Sequence, residues 1–172
     1  MIKNAERVET YVIRLARPEE LDRILAVYDD ARAFMRTVGN PTQWSGGYPS
    51  RDVLKADIEE GRLYVCVEDG NLLGAFVFFV GEEPVYKTFK GDWGSDATTY
   101  GVIHRVAVRA RERGIGAAML AYGYERAPHD LRIDTHRDNH PMQALLKKHG
   151  FIPCGIVDYG PAGERIAFRK GE

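Results

Sequence analysis

The residues best suited to hold an anion lie between Val106 and Leu120, in the run Val106-Ala107-Val108-Arg109-Ala110-Arg111-Glu112-Arg113-Gly114-Ile115-Gly116-Ala117-Ala118-Met119-Leu120. An apolar strand enters a short basic loop, and two glycines open an apolar helix. The first turn of a helix leaves backbone N–H groups unpaired, and its dipole favours negative charge there. Gly114 and Gly116 remove side chains that would keep a phosphate away, and Arg111 and Arg113 add positive charge. An ordinary strand-to-helix turn with solvated arginines is the plainer alternative. Two glycines alone would not displace it; the whole run from strand to helix does.

Other nucleotide turns fit less well. Gly114-x-Gly116 begins a dinucleotide fingerprint, and Asp134 lies near its acidic position. Its third small residue would be Met119, too large for close helix–strand packing, and several residues separate strand from glycines. A small oxidoreductase with an unusual turn is therefore a trailing alternative. No Gly-Lys-Ser/Thr follows, which excludes a Walker loop. His136 and His140 with Asp134 form a faint metal constellation, but Pro141 and a cap at Asn139 put His136 outside the helix. No metal is expected. Cys66 and Cys154 are far apart and outside any C-x-x-C pair, so they read as reduced core thiols of a cytoplasmic protein.

The elements around this turn follow from pattern. Tyr11 to Leu15 reads as a strand. Pro18 starts a helix whose apolar face holds Leu21, Ile24, Leu25, Tyr28, Ala31 and Phe34, stopped by Gly39-Asn40-Pro41. Ser50 caps a second helix carrying Val53, Leu54 and Ile58. Leu63 to Val67 and Leu72 to Val80 are strands joined by Asp69-Gly70, a hairpin signal. Residues 83–99 form an aromatic excursion. Tyr100 to Val108 is a strand, Gly114 opens a helix to about Arg126, and Leu131 to Thr135 is a strand. Asn139 to His149 is a short helix, and Phe151 to Val157 and Arg165 to Arg169 are final strands. Hairpins followed by one β-α-β crossover imply a mixed sheet, hence an α+β or mixed α/β class.

The chain has 172 residues and 44% apolar content, which suits one globular domain over residues 1–172. Lys and Arg total 24 against 25 Asp and Glu, so no broad attraction to nucleic acid is expected. The first ten residues lack a signal-peptide core. The apolar run Leu72 to Val80 is far shorter than the ~20 residues that span a bilayer, so no membrane partner is expected.

Arg111-x-x-Gly114-x-Gly116 matches the Q/R-x-x-G-x-G/A signature of the GNAT superfamily of N-acetyltransferases. Ile103-His104-Arg105-Val106-Ala107-Val108 resembles the strand that leads into it. Asp134 to Asn139, then Met142, Leu145, Leu146, Gly150 and Phe151, resembles the second cofactor motif. The resemblance implies a mostly antiparallel twisted sheet of about six to seven strands flanked by about four helices. It implies acetyl-CoA as cosubstrate, held by Arg111, Arg113, Gly114, Ile115, Gly116 and Ala117 at the pyrophosphate. Val106, Ala107 and Val108 would lie along the pantetheine arm, with Asn139 on the far side; a helix N-cap is an equal reading of Asn139. A bulge would splay the leading strand from Leu131–Thr135. Many members carry a tyrosine as general acid where this chain has Leu146, so that role does not carry over.

The implied reaction is direct transfer of acetyl to a primary amine of a small molecule or peptide. An alkyl amine has a pKa of about 10, so it must lose a proton first. His104 is the candidate base, and a histidine merely packed in the sheet is the even alternative. Arg105 faces away from His104 if the strand is regular. Trp44, Tyr48, Tyr86, Trp93 and Tyr100 are candidate walls of the acceptor site, and Asp92 or Asp96 could attract an ammonium group. Leu146 keeps open a non-catalytic acyl-CoA sensor. An exposed edge strand could pair two copies into a homodimer.

Overall fold

The computed structural model describes residues 10–109 and 111–172. Residues 1–9, where the sequence shows no signal-peptide core, lie outside them, as does Ala110. Eight strands form a single sheet in the order β1-β2-β3-β5-β6-β8-β7-β4. They are β1 (Val12–Leu15), β2 (Leu63–Glu68), β3 (Asn71–Gly81), β4 (Lys90–Gly91), β5 (Tyr100–Val108), β6 (Asp130–Thr135), β7 (Ile152–Asp158) and β8 (Glu164–Gly171). Four α-helices flank it: α1 (Leu21–Thr37), α2 (Arg51–Glu59), α3 (Ile115–Arg126) and α4 (His140–Lys148).

The strand count exceeds the expected six to seven because of β4. Its two residues pair with Ile156 and Gly155 of β7 inside the stretch read as an excursion. A two-residue strand has no period for a sequence to display.

Strand β3 shows why the sheet is a core element rather than a surface. Ala75 and Val77 pack with α1 residues such as Ile24, Val27 and Tyr28. Phe76 and Phe78 pack on the other face with Ile115, Met119 and Leu120 of α3. Burial on both faces explains the continuous apolar run where alternation would mark a half-exposed strand. The Asp69–Gly70 turn closes the β2–β3 hairpin with both residues at positive φ, 49° and 76°. That conformation suits the right-handed twist of a hairpin.

Strands β5 and β6 are the one parallel pair among the described residues, joined by α3 in a β-α-β crossover. Their pairing ends at Ile103 and Ile133. Beyond this point the two strands part. On its other side β5 stays paired to β3, but with a register shift: Val77 faces His104 while Ala75 faces Ala107. Phe76 therefore opposes two residues, Arg105 and Val106, which is a β-bulge. Arg105 takes φ +50°, a left-handed conformation that normally favours glycine.

Candidate active site

The bulge is held from three directions. The Tyr28 hydroxyl donates to the Arg105 carbonyl at 2.6 Å. The Arg105 guanidinium donates to both oxygens of Asp57, at 2.9 and 2.7 Å, and to the Tyr48 hydroxyl at 2.9 Å. These bonds come from α1, α2 and the loop between them, so distant sequence fixes one backbone torsion. The bulge also breaks the alternation of β5. The expectation that Arg105 faces away from His104 fails for that reason, and both side chains border one cavity.

That cavity measures about 530 Å³ and opens where β5 and β6 diverge. His104 sits in its wall between two carboxylates. Nε2 lies 2.8 Å from Glu83 Oε2, and Nδ1 lies 3.8 Å from Asp134 Oδ2. Burial opposes charge on Glu83, but the hydrogen bond and charge of His104 prevail and hold its carboxyl below the ordinary range. An ionised carboxylate can only accept, so Nε2 is the donor in this pair and Nδ1 is the ring nitrogen left to exchange a proton. Glu83 is itself fixed: Oε1 accepts from the Val85 N–H, and its own N–H donates to the Tyr100 hydroxyl. Asp134 accepts from Tyr86 at 3.1 Å and from Tyr159 at 2.8 Å. Burial and the Asp134 charge push both phenols well up, so each stays a donor.

A second, more apolar space of about 260 Å³ runs along the other end of the bulged strand. Val106, Ala107 and Val108 form one side, Gly114, Gly116 and Ala117 the floor, and Asn139 and Met142 the far side. Phe34 and Met35 of α1 close it above. Gly114 takes φ +70° as the residue before α3, and a Cβ on Gly116 would approach Leu145 to 2.9 Å. Gly114 thus supplies the left-handed turn into α3, and Gly116 lets α4 pack close beside the helix N-terminus, where unpaired N–H groups favour an anion. A neck of about 30 Å³ shares its lining with both spaces: His104, Arg105 and Asp134 with the cavity, and Val106 and Asn139 with the slot.

The residues singled out from sequence divide clearly. Trp44 and Tyr48 border the larger cavity. Tyr86 lies behind its wall, bonded to Asp134, and Trp93 stacks on Phe89 with ring centres 4.1 Å apart, outside the cavity lining. Asp92 and Asp96 are exposed and do not border it. Arg111 borders the slot, its guanidinium 3.8 Å above the Phe34 ring. Arg113 instead forms a two-point ion pair with Glu68, so its side-chain charge is already engaged. Ile115 is fully buried and offers only backbone. Asn139 is an N-cap, accepting from the Met142 N–H, and also borders the slot. Leu146 is fully buried in the core, so α4 presents no acid there. His136 and His140 form no metal cluster among the described residues. No described helix is long and apolar enough to cross a membrane.

The profile of the Acetyltransferase (GNAT) family matches residues 26–151. The chain belongs to the GNAT acetyltransferase family. A GNAT family acetyltransferase from Streptococcus agalactiae 2603 is 36% identical, with 94% of this chain and 95% of that one covered at a TM-score of 0.82. Family members from Bacillus cereus and Listeria monocytogenes are 22% and 20% identical, with TM-scores of 0.62 and 0.66, and share the fold. Those matches cover 95% and 94% of this chain, and 99% and 95% of theirs. No curated protein matches the chain.

Within this GNAT acetyltransferase, sequence reasoning did not single out Glu83, Tyr159, Arg165 or Gln43 as site residues. Gln43 ties the loop after α1 to α4, its Oε1 accepting from Asn40 at 2.9 Å and Asn139 at 3.1 Å. Asp134 stands in the second cofactor motif and in the dinucleotide and metal alternatives, but nothing in the sequence links it to His104. These residues reach the cavity from five separate segments, and no local spacing connects them. Glu83 carried one signal: an acid directly before Pro84, at the end of the buried strand leading to the site.

Proposed function

We propose that this protein transfers acetyl from acetyl-CoA to a primary amine, with His104 as the base and Glu83 as its orienting partner. The observation that carries this reading is the meeting of two spaces at the bulge. One is an apolar slot ending at a helix N-terminus; the other is a polar cavity walled by a carboxylate-paired histidine. Acetyl-CoA would lie in the slot and supply the acetyl group as a thioester, activated toward attack by nitrogen.

The protein's own residues would do the rest. Asp134 attracts the incoming ammonium group. His104 Nδ1 takes the proton, and the Glu83 carboxylate at Nε2 holds the ring and stabilises the imidazolium that forms. His104 borders both the cavity and the neck, so once that proton has left to solvent it can take a second from the attacking nitrogen and pass it to the departing sulfur. This fills the role left vacant by Leu146. Trp44 and Gln43 also line the neck.

Calorimetry with acetyl-CoA, CoA and NAD, then thiol release over an amine panel, tests the reading. Wild type should bind both CoA species and ignore NAD. Ala117→Trp should lose that binding without unfolding, since Ala117 is helical and borders the slot. His104→Ala should keep acetyl-CoA affinity and lose about 10²–10⁴-fold in kcat. Absence of CoA binding in wild type would overturn the site assignment. Binding without turnover of any amine would favour an acyl-CoA sensor.

A further inference from the structure

Arg165, at the start of β8, is a buried cation that the proposed chemistry does not use. It is 6% exposed and borders the larger cavity. Its guanidinium donates to three backbone carbonyls: Ala162 at 2.9 Å, Glu164 at 3.0 Å and Gln43 at 3.2 Å. Its carbon lies 5.5 Å from the centre of the Tyr159 ring. No described carboxylate lies within ion-pair distance of it.

The other shielded arginines behave differently. Arg14 pairs with Glu20, Arg105 with Asp57, Arg113 with Glu68, and Arg132 and Arg169 with Asp130. A guanidinium cannot shed its proton to escape burial. Carbonyl dipoles hold Arg165 in place but leave its charge unmatched, with donors remaining on a planar fork that suits a carboxylate.

Its position relative to His104 gives the unmatched charge a meaning. The Tyr159 ring beside Arg165 carries the hydroxyl that reaches Asp134, and Asp134 faces His104. The cavity therefore has an acidic end, Glu83 and Asp134 around His104, and a basic wall at Arg165. Asp57 and Arg105, which also border the cavity, neutralise each other. Arg62 borders the cavity too, but lies 3.4 Å from Glu60. A molecule carrying an amine and, a few bonds away, a carboxylate complements both ends.

We infer that the acceptor is a free amino acid, its carboxylate on Arg165 and its amine directed at His104. This rests on the acetyl-transfer reading above. In the step, a bond forms between the amino nitrogen and the acetyl carbonyl carbon, and the carbon–sulfur bond of the thioester breaks. Nitrogen loses two protons: one leaves through His104 to solvent before attack, and the second passes through His104 to sulfur as the carbon–sulfur bond breaks. The products are an N-acetyl amino acid and CoA thiol.

The test compares the twenty common L-amino acids with their amides, which keep the amine and lose the negative charge. Binding is followed calorimetrically with CoA present, and turnover by thiol release from acetyl-CoA. At least one amino acid should bind and react, favoured over its amide by about 10-fold to 100-fold in kcat/KM. Arg165→Gln should bring that ratio toward one, while Arg165→Lys should keep part of it. The wild-type comparison stands even if a variant folds poorly. Amides equal to acids, or no binding by either, would overturn the inference and leave acetyl transfer to other amines intact. Acids that bind and never react would support the carboxylate site and overturn the transferase reading.

Discussion

Replacing Tyr28 by phenylalanine tests whether the bulge in β5 is held by its neighbours. Tyr28 is fully buried, and its ring packs against Trp44 with centroids 5.5 Å apart. Phenylalanine keeps that packing and removes one atom, the hydroxyl that donates to the Arg105 carbonyl at 2.6 Å. A buried acceptor deprived of its donor costs about 1–3 kcal/mol. Arg105 already carries left-handed strain of about 1–2 kcal/mol at φ +50°. If the bulge persists, stability falls by the full hydrogen-bond cost. For a chain of this size, that lowers Tm by roughly 2–12 °C. If the strand instead relaxes, the strain is recovered, the loss is smaller, and β5 moves toward regular pairing that narrows the slot. Acetyl-CoA affinity then falls, by at most about 5-fold to 150-fold for the same free energy. Calorimetric melting and acetyl-CoA titration on the same variant separate the two cases. An unchanged Tm together with unchanged affinity would refute the argument that Tyr28 holds the bulge.

Glu83 and the buried phenols make two further predictions through pH. Burial disfavours the Glu83 charge, but His104 keeps its folded pKa below the ordinary value of 4.5. Its contribution to stability is therefore complete above about 4.5 and is lost as pH falls through the lowered folded value. The Tm gap between wild type and Glu83→Gln should be open at neutral pH and close in stronger acid; a gap that widens with acid would contradict the pairing. Burial raises the pKa of Tyr28, Tyr86 and Tyr159 above the ordinary 10, which favours the fold below pH 10 and destabilises it as pH rises further. Ultraviolet titration should show these three of the nine tyrosines still protonated at about pH 11 while the circular dichroism stays native. Nine phenols titrating together in a native fold would show that the Asp134 cluster is open to water.

The sequence by itself determined most of the elements and the glycine turn that opens α3. Ser50, which caps α2 through the Val53 N–H, and Asp69-Gly70, which turns the hairpin, act on atoms within a few residues. Gly114, at φ +70° before α3, likewise works through local backbone. Such effects depend on spacing along the chain, so they are legible in it. Leu146 offers no acid, because a hydrocarbon side chain cannot donate a proton wherever it lies. Only tertiary structure decided the chemistry of the cavity. The bulge at Arg105 is a compromise between its own strain and bonds from Tyr28, Asp57 and Tyr48, residues 48 to 77 positions away. Trp93 and Tyr86 have the composition of a binding wall, yet packing turns one toward Phe89 and the other toward Asp134. Glu83, His104, Asp134 and Arg165 come from four strands or strand ends and meet because the sheet order sets β3, β5, β6 and β8 side by side. Charge complementarity acts through space over a few ångströms, and chain distance carries no record of it.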